Sequence, residues 1–257
     1  MEAFRKKFKN TPALQVEAGS FLYGGFSAKA PLQNDQVMKS FNQWPVDVLN
    51  IGRSDTVSAQ KYLAREGLSA RAQAMPAIKR MISANLRLGP EAEAPPPYLI
   101  KEVTGPRIAN RGKKLRVGFI GLFEPKGGGE SPNDSTKDMF AAARKFVPEL
   151  RRQCDLLVIV AHTDLKNAVK LAEENPETDV IIASNPPNVL PPRQIGKTFI
   201  VCAAPANTQQ GDLRLYLDKQ GRVSYKFLST DLDSLVPSDP AALAYTEAVR
   251  QELDRLR

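Results

Sequence analysis

Residues 154–165 read CDLLVIVAHTDL. Leu156 to Ala161 are all apolar, and Val158, Ile159 and Val160 are β-branched. So short a run, flanked by polar residues, predicts a strand covered on both faces rather than a buried helix segment. His162, the single histidine of the chain, closes it. Ligands of open α/β sheets gather beyond the carboxyl ends of strands. A lone histidine there is a candidate metal ligand or base, and equally a satisfied polar residue at a strand end.

Working outward, the apolar pattern predicts over 13–22 a strand running into a turn at Ala18-Gly19-Ser20, and strands at 46–52, 98–103, 115–123, 179–184, 197–204, 212–218 and 222–230, with a short one ending near Asn85. Helices are predicted at 33–44, at 56–66 with a stop at Gly67, at 135–152 with Ser135 or Thr136 as N-cap, at 167–175 and at 240–257, and residues 2–9 resemble the last turns of another. The segments 98–103 and 115–123 read as one hairpin, and the last two strands as a second, turning at Gln220-Gly221. Residues 24–25, 89–97, 125–134 and 185–192 are loops rich in Gly or Pro. Early alternation of strands and helices followed by late hairpins predicts a large α/β sandwich with two mixed sheets between helices. One domain over 1–239 and a connector helix over 240–257 are expected.

With 257 residues and 42% apolar content the chain can bury a sizeable core. Its net charge of +8 is spread along the chain without aromatic interleaving, which argues for a soluble basic surface and against specific nucleic-acid binding. No run approaches the roughly 20 apolar residues of a membrane span. The start, MEAFRKKFKN, lacks the apolar core of a secretory signal. Cys154 and Cys202 lie in strand-like runs without CxxC spacing and read as buried free thiols. Lys126–Glu130 (KGGGE) lacks the Gly-Lys-Ser/Thr ending of a phosphate loop. Ser20 or Ser54 with His162 and Asp55 or Asp164 would make a Ser-His-Asp set, although no nucleophile-elbow sequence is present.

In order and spacing, LQVEAGSFL (14–22), VDVLNIGRSD (46–55), ISANL (82–86), YLIKEV and LRVGFIGL (98–122), CDLLVIVAHTDL, TDVIIASNPP (178–187) and TFIVCAAP with GDLRLYLD (198–218) form a recognisable series. It resembles the catalytic domain of the bacterial 5′-nucleotidase and 2′,3′-cyclic phosphodiesterase family, within the calcineurin-like metallophosphoesterases. The resemblance implies a four-layer α/β/β/α sandwich whose first strand, with its Asp-x-His motif, is missing here. It also implies two bridged divalent metals that lower the pKa of a water and neutralise phosphate charge.

Carried over residue by residue, the metal motifs are broken. The bridging aspartate falls on Ser20, the metal-binding asparagine on Arg53 and the catalytic histidine on Ser54. The Gly-His-x-His motif falls on 184–187, putting Asn185 and Pro187 in its last positions. Only His162 matches a ligand. A guanidinium offers a metal no lone pair and brings its own positive charge. The resemblance therefore implies a degenerate, non-catalytic domain with no cofactor and a role in binding or assembly. Arg53 and Asn185 are its candidate anion-binding groups, and the closing helix its candidate contact with another domain or chain. The alternative is an active phosphoesterase with an altered site around His162 and Asp55, using Mn, Zn, Fe or Mg. A periplasmic or cell-envelope location is implied by the resemblance alone.

Overall fold

The computed structural model describes residues 11–23, 28–104, 114–125, 138–184, 191–202, 209–218, 220 and 222–255. The expected helix at 2–9, the Ser135/Thr136 cap, Asn185, Pro187 and the glycine loop at 126–130 lie outside them.

The opening stretch is strand β6 (Leu156–His162), buried along its whole length. It lies inside a six-stranded sheet of order β4-β5-β6-β7-β9-β8, formed with β4 (Tyr98–Val103), β5 (Leu115–Phe123), β7 (Val180–Ala183), β8 (Arg193–Ile195) and β9 (Thr198–Cys202). Parallel pairing with β5 sets Phe123 opposite His162, and β4 pairs antiparallel to β5 as the expected hairpin. A second, parallel sheet of order β1-β2-β3 holds β1 (Val16–Glu17), β2 (Val48–Asn50) and β3 (Met81–Ile82). A separate antiparallel ribbon pairs β10 (Gln209–Leu217) with β11 (Val223–Asp231).

Period-two alternation sorts the core into layers. Leu157, Ile159 and Ala161 of β6 face α4 (Met139–Arg151) and α5 (Leu165–Glu174), joining Ala143, Val147, Leu150 and Leu171. Leu156, Val158 and Val160 face the other way and meet Val48 and Ile82 of the smaller sheet. Beyond that sheet, Leu49, Ile51 and Met81 pack on Met38 of α1 (Ala30–Gln43) and Tyr62 of α2 (Thr56–Tyr62), beside α3 (Arg65–Ala74). The result is the α/β/β/α sandwich that the resemblance implies.

The two sheets come close together at Gly121, where a Cβ would lie 2.5 Å from Asn50 Oδ1 and 2.8 Å from the Ile82 carbonyl. Buried Asn50 bridges them, its Nδ2 donating to the Ala18 carbonyl at 3.2 Å and the Leu122 carbonyl at 2.9 Å. Asn85 holds Phe123 by both its N–H and its C=O.

Several local expectations need correction. The strand expected from 13 up to the turn at 18–20 has ladder pairing only at Val16–Glu17, while the turn itself lies where it was expected, with Gly19 and Ser20 at positive φ. The helix expected over 56–66 ends at Tyr62, and Gly67 lies inside α3 rather than stopping α2. Asp138 caps α4 by accepting from the Phe140 N–H, and Asp164 caps α5 by accepting from Asn167. Strand β8 was not foreseen; it folds back on β9 through Gly196, whose φ is +56°. Of the two sheets expected to be mixed, the smaller is wholly parallel, and the β10–β11 ribbon hydrogen-bonds to neither sheet among the described residues. Its Leu213, Leu215 and Leu217 nonetheless pack on the inter-sheet core with Val16.

The closing helix is α6 (Pro240–Asp254), capped by Asp239. None of its residues is fully buried. It rests on α1 through Tyr245, whose hydroxyl donates to the Gln36 carbonyl at 2.7 Å and whose ring meets Trp44 edge-on. No helix among the described residues is long and apolar enough to cross a membrane. Cys154 and Cys202 are buried free thiols, as expected.

Candidate functional site

The carboxyl ends of β1, β2, β6 and β7 meet at one rim, because parallel strands in two facing sheets bring the turns that follow them together. The turn after β1 runs through Gly19 (φ +114°) and Ser20 (φ +69°). The turn after β2 is the short 3-10 segment Arg53–Asp55. The two interlock without spare room, since a Cβ on Gly52 would lie 2.5 Å from the Ser20 nitrogen. From β7, the Ser184 hydroxyl donates to the Ala18 carbonyl at 2.7 Å and ties the larger sheet to the same turn.

Asp55 fastens these turns. It is fully buried, and its carboxylate accepts the backbone N–H groups of Ser20, Leu22 and Gly52, each at 2.7 Å. Burial pushes its carboxyl up to about 7 although the three N–H donors pull it down, and the nearby Glu17 charge adds to the rise. Burial raises Glu17 as well. Asp55 thus bonds to the main chain around it and not to the Arg53 guanidinium.

His162 is 7% exposed, and its Nε2 lies 2.6 Å from the hydroxyl of Ser20, an exposed residue. Its buried Nδ1 meets no hydrogen-bond partner among the described residues. Burial pushes the imidazole down to about 4, and the Arg53 charge pushes the same way, so the ring is neutral at neutral pH. Arg53 is half-buried and Ser54 exposed on the same rim.

Ser20, Arg53, Ser54, Asp55 and His162 lie at this one rim. Asp164 does not join them; it caps α5. The residues do not fit the metal pair that the resemblance implies. Among the described residues no group of three or more His, Cys, Asp or Glu side chains converges to hold an ion. Asp55 is committed to three N–H donors, the His162 Nε2 to a hydroxyl, and a guanidinium stands beside them. The roles of Gly19, Gly52, Asn50 and Ser184 were not foreseen. The one sequence signal for them is the pair of glycines placed where two turns must cross.

Four layers, with a rim at the carboxyl ends of the strands of both sheets, define the metallophosphoesterase sandwich. The calcineurin-like phosphoesterase YfkN from Bacillus subtilis superposes with a TM-score of 0.69 at 16% identity, over 98% of this chain and 87% of that one. In sequence the chain is similar to two bacterial 2′,3′-cyclic-nucleotide 2′-phosphodiesterase/3′-nucleotidases. The Salmonella typhimurium protein is 30% identical over 118 residues, covering 40% of this chain and 18% of that protein. The Haemophilus influenzae protein is 23% identical over 217 residues, covering 76% of this chain and 32% of that protein. The chain thus spans less than a third of the length of either curated relative. No family model matches it.

Proposed function

We propose that the chain is a 5′-nucleotidase-like phosphoesterase domain that has given up metal-dependent catalysis and serves in binding or assembly. The observation that carries this reading is the 2.6 Å contact between the Ser20 hydroxyl and His162 Nε2, with the Arg53 charge beside it. The one histidine of the rim is engaged by a group that cannot bridge two dications, and a fixed cation stands where a metal would be repelled.

Arg53 is the anchor for an anionic ligand, because a guanidinium presents paired donors to a phosphate or carboxylate. Helix α6, with Leu243 exposed and no residue fully buried, is the contact for a neighbouring domain or chain. The domain proper ends at 239, and the resemblance supports a cell-envelope location.

Metal analysis of the purified protein, a generic phosphodiester assay with added Mn, Zn, Fe or Mg, and titration calorimetry with nucleotides and phosphate test the reading. The expected result is no stoichiometric metal, no turnover, and anion binding lost in Arg53→Met. Two equivalents of bound metal with turnover abolished by His162→Ala would overturn it. No heat with any anion would remove the ligand assignment to Arg53.

A further inference from the structure

We propose that Ser20 and His162 form a nucleophile–base pair that takes acyl groups from carboxylic esters, a metal-free reactivity that goes beyond the binding role above. Three features of the rim converge on it. The Ser20 hydroxyl and His162 Nε2 are 2.6 Å apart, within reach for direct proton transfer. The two residues differ in exposure as nucleophile and base should: Ser20 is open to solvent, and His162 is buried behind it. Ser20 is also the one residue other than glycine at positive φ among the described residues. That left-handed conformation costs an ordinary residue on the order of 1 kcal/mol or more. It is held by the Ser20 N–H bond to buried Asp55 and by Gly19 and Gly52 packed beneath. A serine whose only task was to cap a polar ring would not need to be fixed in a disfavoured backbone state at the solvent edge.

The charge inventory selects the ester class. Transfer of a phosphoryl group needs several anionic oxygens neutralised together, whereas attack on a carboxylic ester develops a single oxyanion. Arg53, half-buried on the same rim, brings one positive charge, which suits the single oxyanion.

In the step itself, Ser20 Oγ bonds to the acyl carbon while its proton passes to His162 Nε2. The ester C–O bond breaks, and the leaving alkoxide takes that proton and departs as the alcohol, leaving O-acyl-Ser20. Water attacks the acyl carbon with the same nitrogen as base. The carboxylic acid leaves, and the proton returns to Oγ. Asp55 has no part in the transfer and acts as the positioning residue of the Ser20 turn.

A biotinylated alkyl fluorophosphonate, which phosphonylates an activated serine with loss of fluoride, tests the pair on the full chain, with mass spectrometry locating the adduct. The expected result is one adduct per chain on Ser20, unchanged by EDTA, absent in Ser20→Ala and slowed about 100-fold or more in His162→Gln, the size expected for loss of a general base. 4-Nitrophenyl acetate should give a matching burst of one equivalent. No adduct on Ser20 in a wild-type chain shown to be folded by circular dichroism would overturn the proposal, as would labelling at an undiminished rate in His162→Gln. Should the glutamine variant fail to fold, Ser20→Cys decides. Its thiol should alkylate with iodoacetamide faster at pH 7 than a free cysteine, with Cys154 and Cys202 buried and silent, and a rate no faster than free cysteine refutes the pair. Bound metal with phosphodiester turnover would remove the binding role while leaving the Ser20 labelling result to stand separately.

Discussion

From Leu156 to Ala161 every side chain of β6 is apolar and buried, each facing one of two cores, whereas one residue further His162 is a polar ring held by an exposed serine from the other sheet. The strand body answers to burial alone, and any apolar residue of the right volume would serve it. The rim answers to particular atoms: three N–H groups on one carboxylate, a hydroxyl on an imidazole, and glycines where two turns cross. At this rim, unlike the strand body, the polar groups are held by specific bonds.

If the rim is as much a structural element as the strand, removing its fastener should cost as much as hollowing the core. Asp55→Ala leaves three backbone N–H groups buried without an acceptor and should destabilise the protein by about 3–5 kcal/mol, from roughly 1–3 for each group with partial relaxation. Urea unfolding measures it, and a loss under about 1 kcal/mol would break the comparison from the rim side. Leu157→Ala in the strand body should cost about 2–4 kcal/mol by the same measurement, the range for a fully buried leucine between close-packed layers.

Acid titration sharpens the contrast further. The His162 imidazole, near 4 when folded and near 6.5 when free, binds fewer protons in the native state, so its contribution to stability rises as pH rises from 4 to 6.5. Asp55, near 7 when folded and near 3.8 when free, binds more protons in the native state, so its contribution falls as pH rises from 4 to 7. Glu17, also raised by burial, has the same sign as Asp55. The opposed slopes of His162 and Asp55, each up to about 1.4 kcal/mol per pH unit, largely offset one another. In His162→Gln, stability should fall with pH across 4.5–7 more steeply than in wild type, and in Asp55→Asn it should rise across 4.5–6.5. Urea midpoints over that range read both, and identical profiles in the two variants would refute the assignment. The smallest effect belongs to Arg53→Met: within about 0.5 kcal/mol in stability at pH 7, with an upward move of the His162 titration, followed by NMR, as the opposing charge is removed.

The frame was legible because its rules are local and repetitive. The apolar run of β6, the hairpin of β4 with β5, and the helix–strand alternation from 135 to 184 are each set by burial and short-range pairing. What escaped depends on contacts distant in sequence or on backbone conformation. The end of α2 at Tyr62 lies in a stretch without a glycine or proline to mark it. Strand β8 has only three residues, one of them half-buried. At the rim, His162 announced itself as a lone polar residue at a strand end, and Ser20, Arg53 and Ser54 followed from the family pattern. Their bonding did not follow, because the Ser20–His162 contact joins residues 142 positions apart and forms only when two separate sheets pack. The partners of Asp55 are main-chain groups that no side-chain pattern encodes.

The β10–β11 ribbon has a consequence for the way the molecule opens. Among the described residues its ladder is its own, and it is held to the body through Leu213, Leu215, Leu217 and Val223 against a core that also contains Leu14 and Val16. A unit that shares no ladder with either sheet among the described residues can lift away without unzipping a strand of either one. The ribbon is thus a natural unit of sub-global unfolding, expected to exchange its amide protons before the strands of the two sheets.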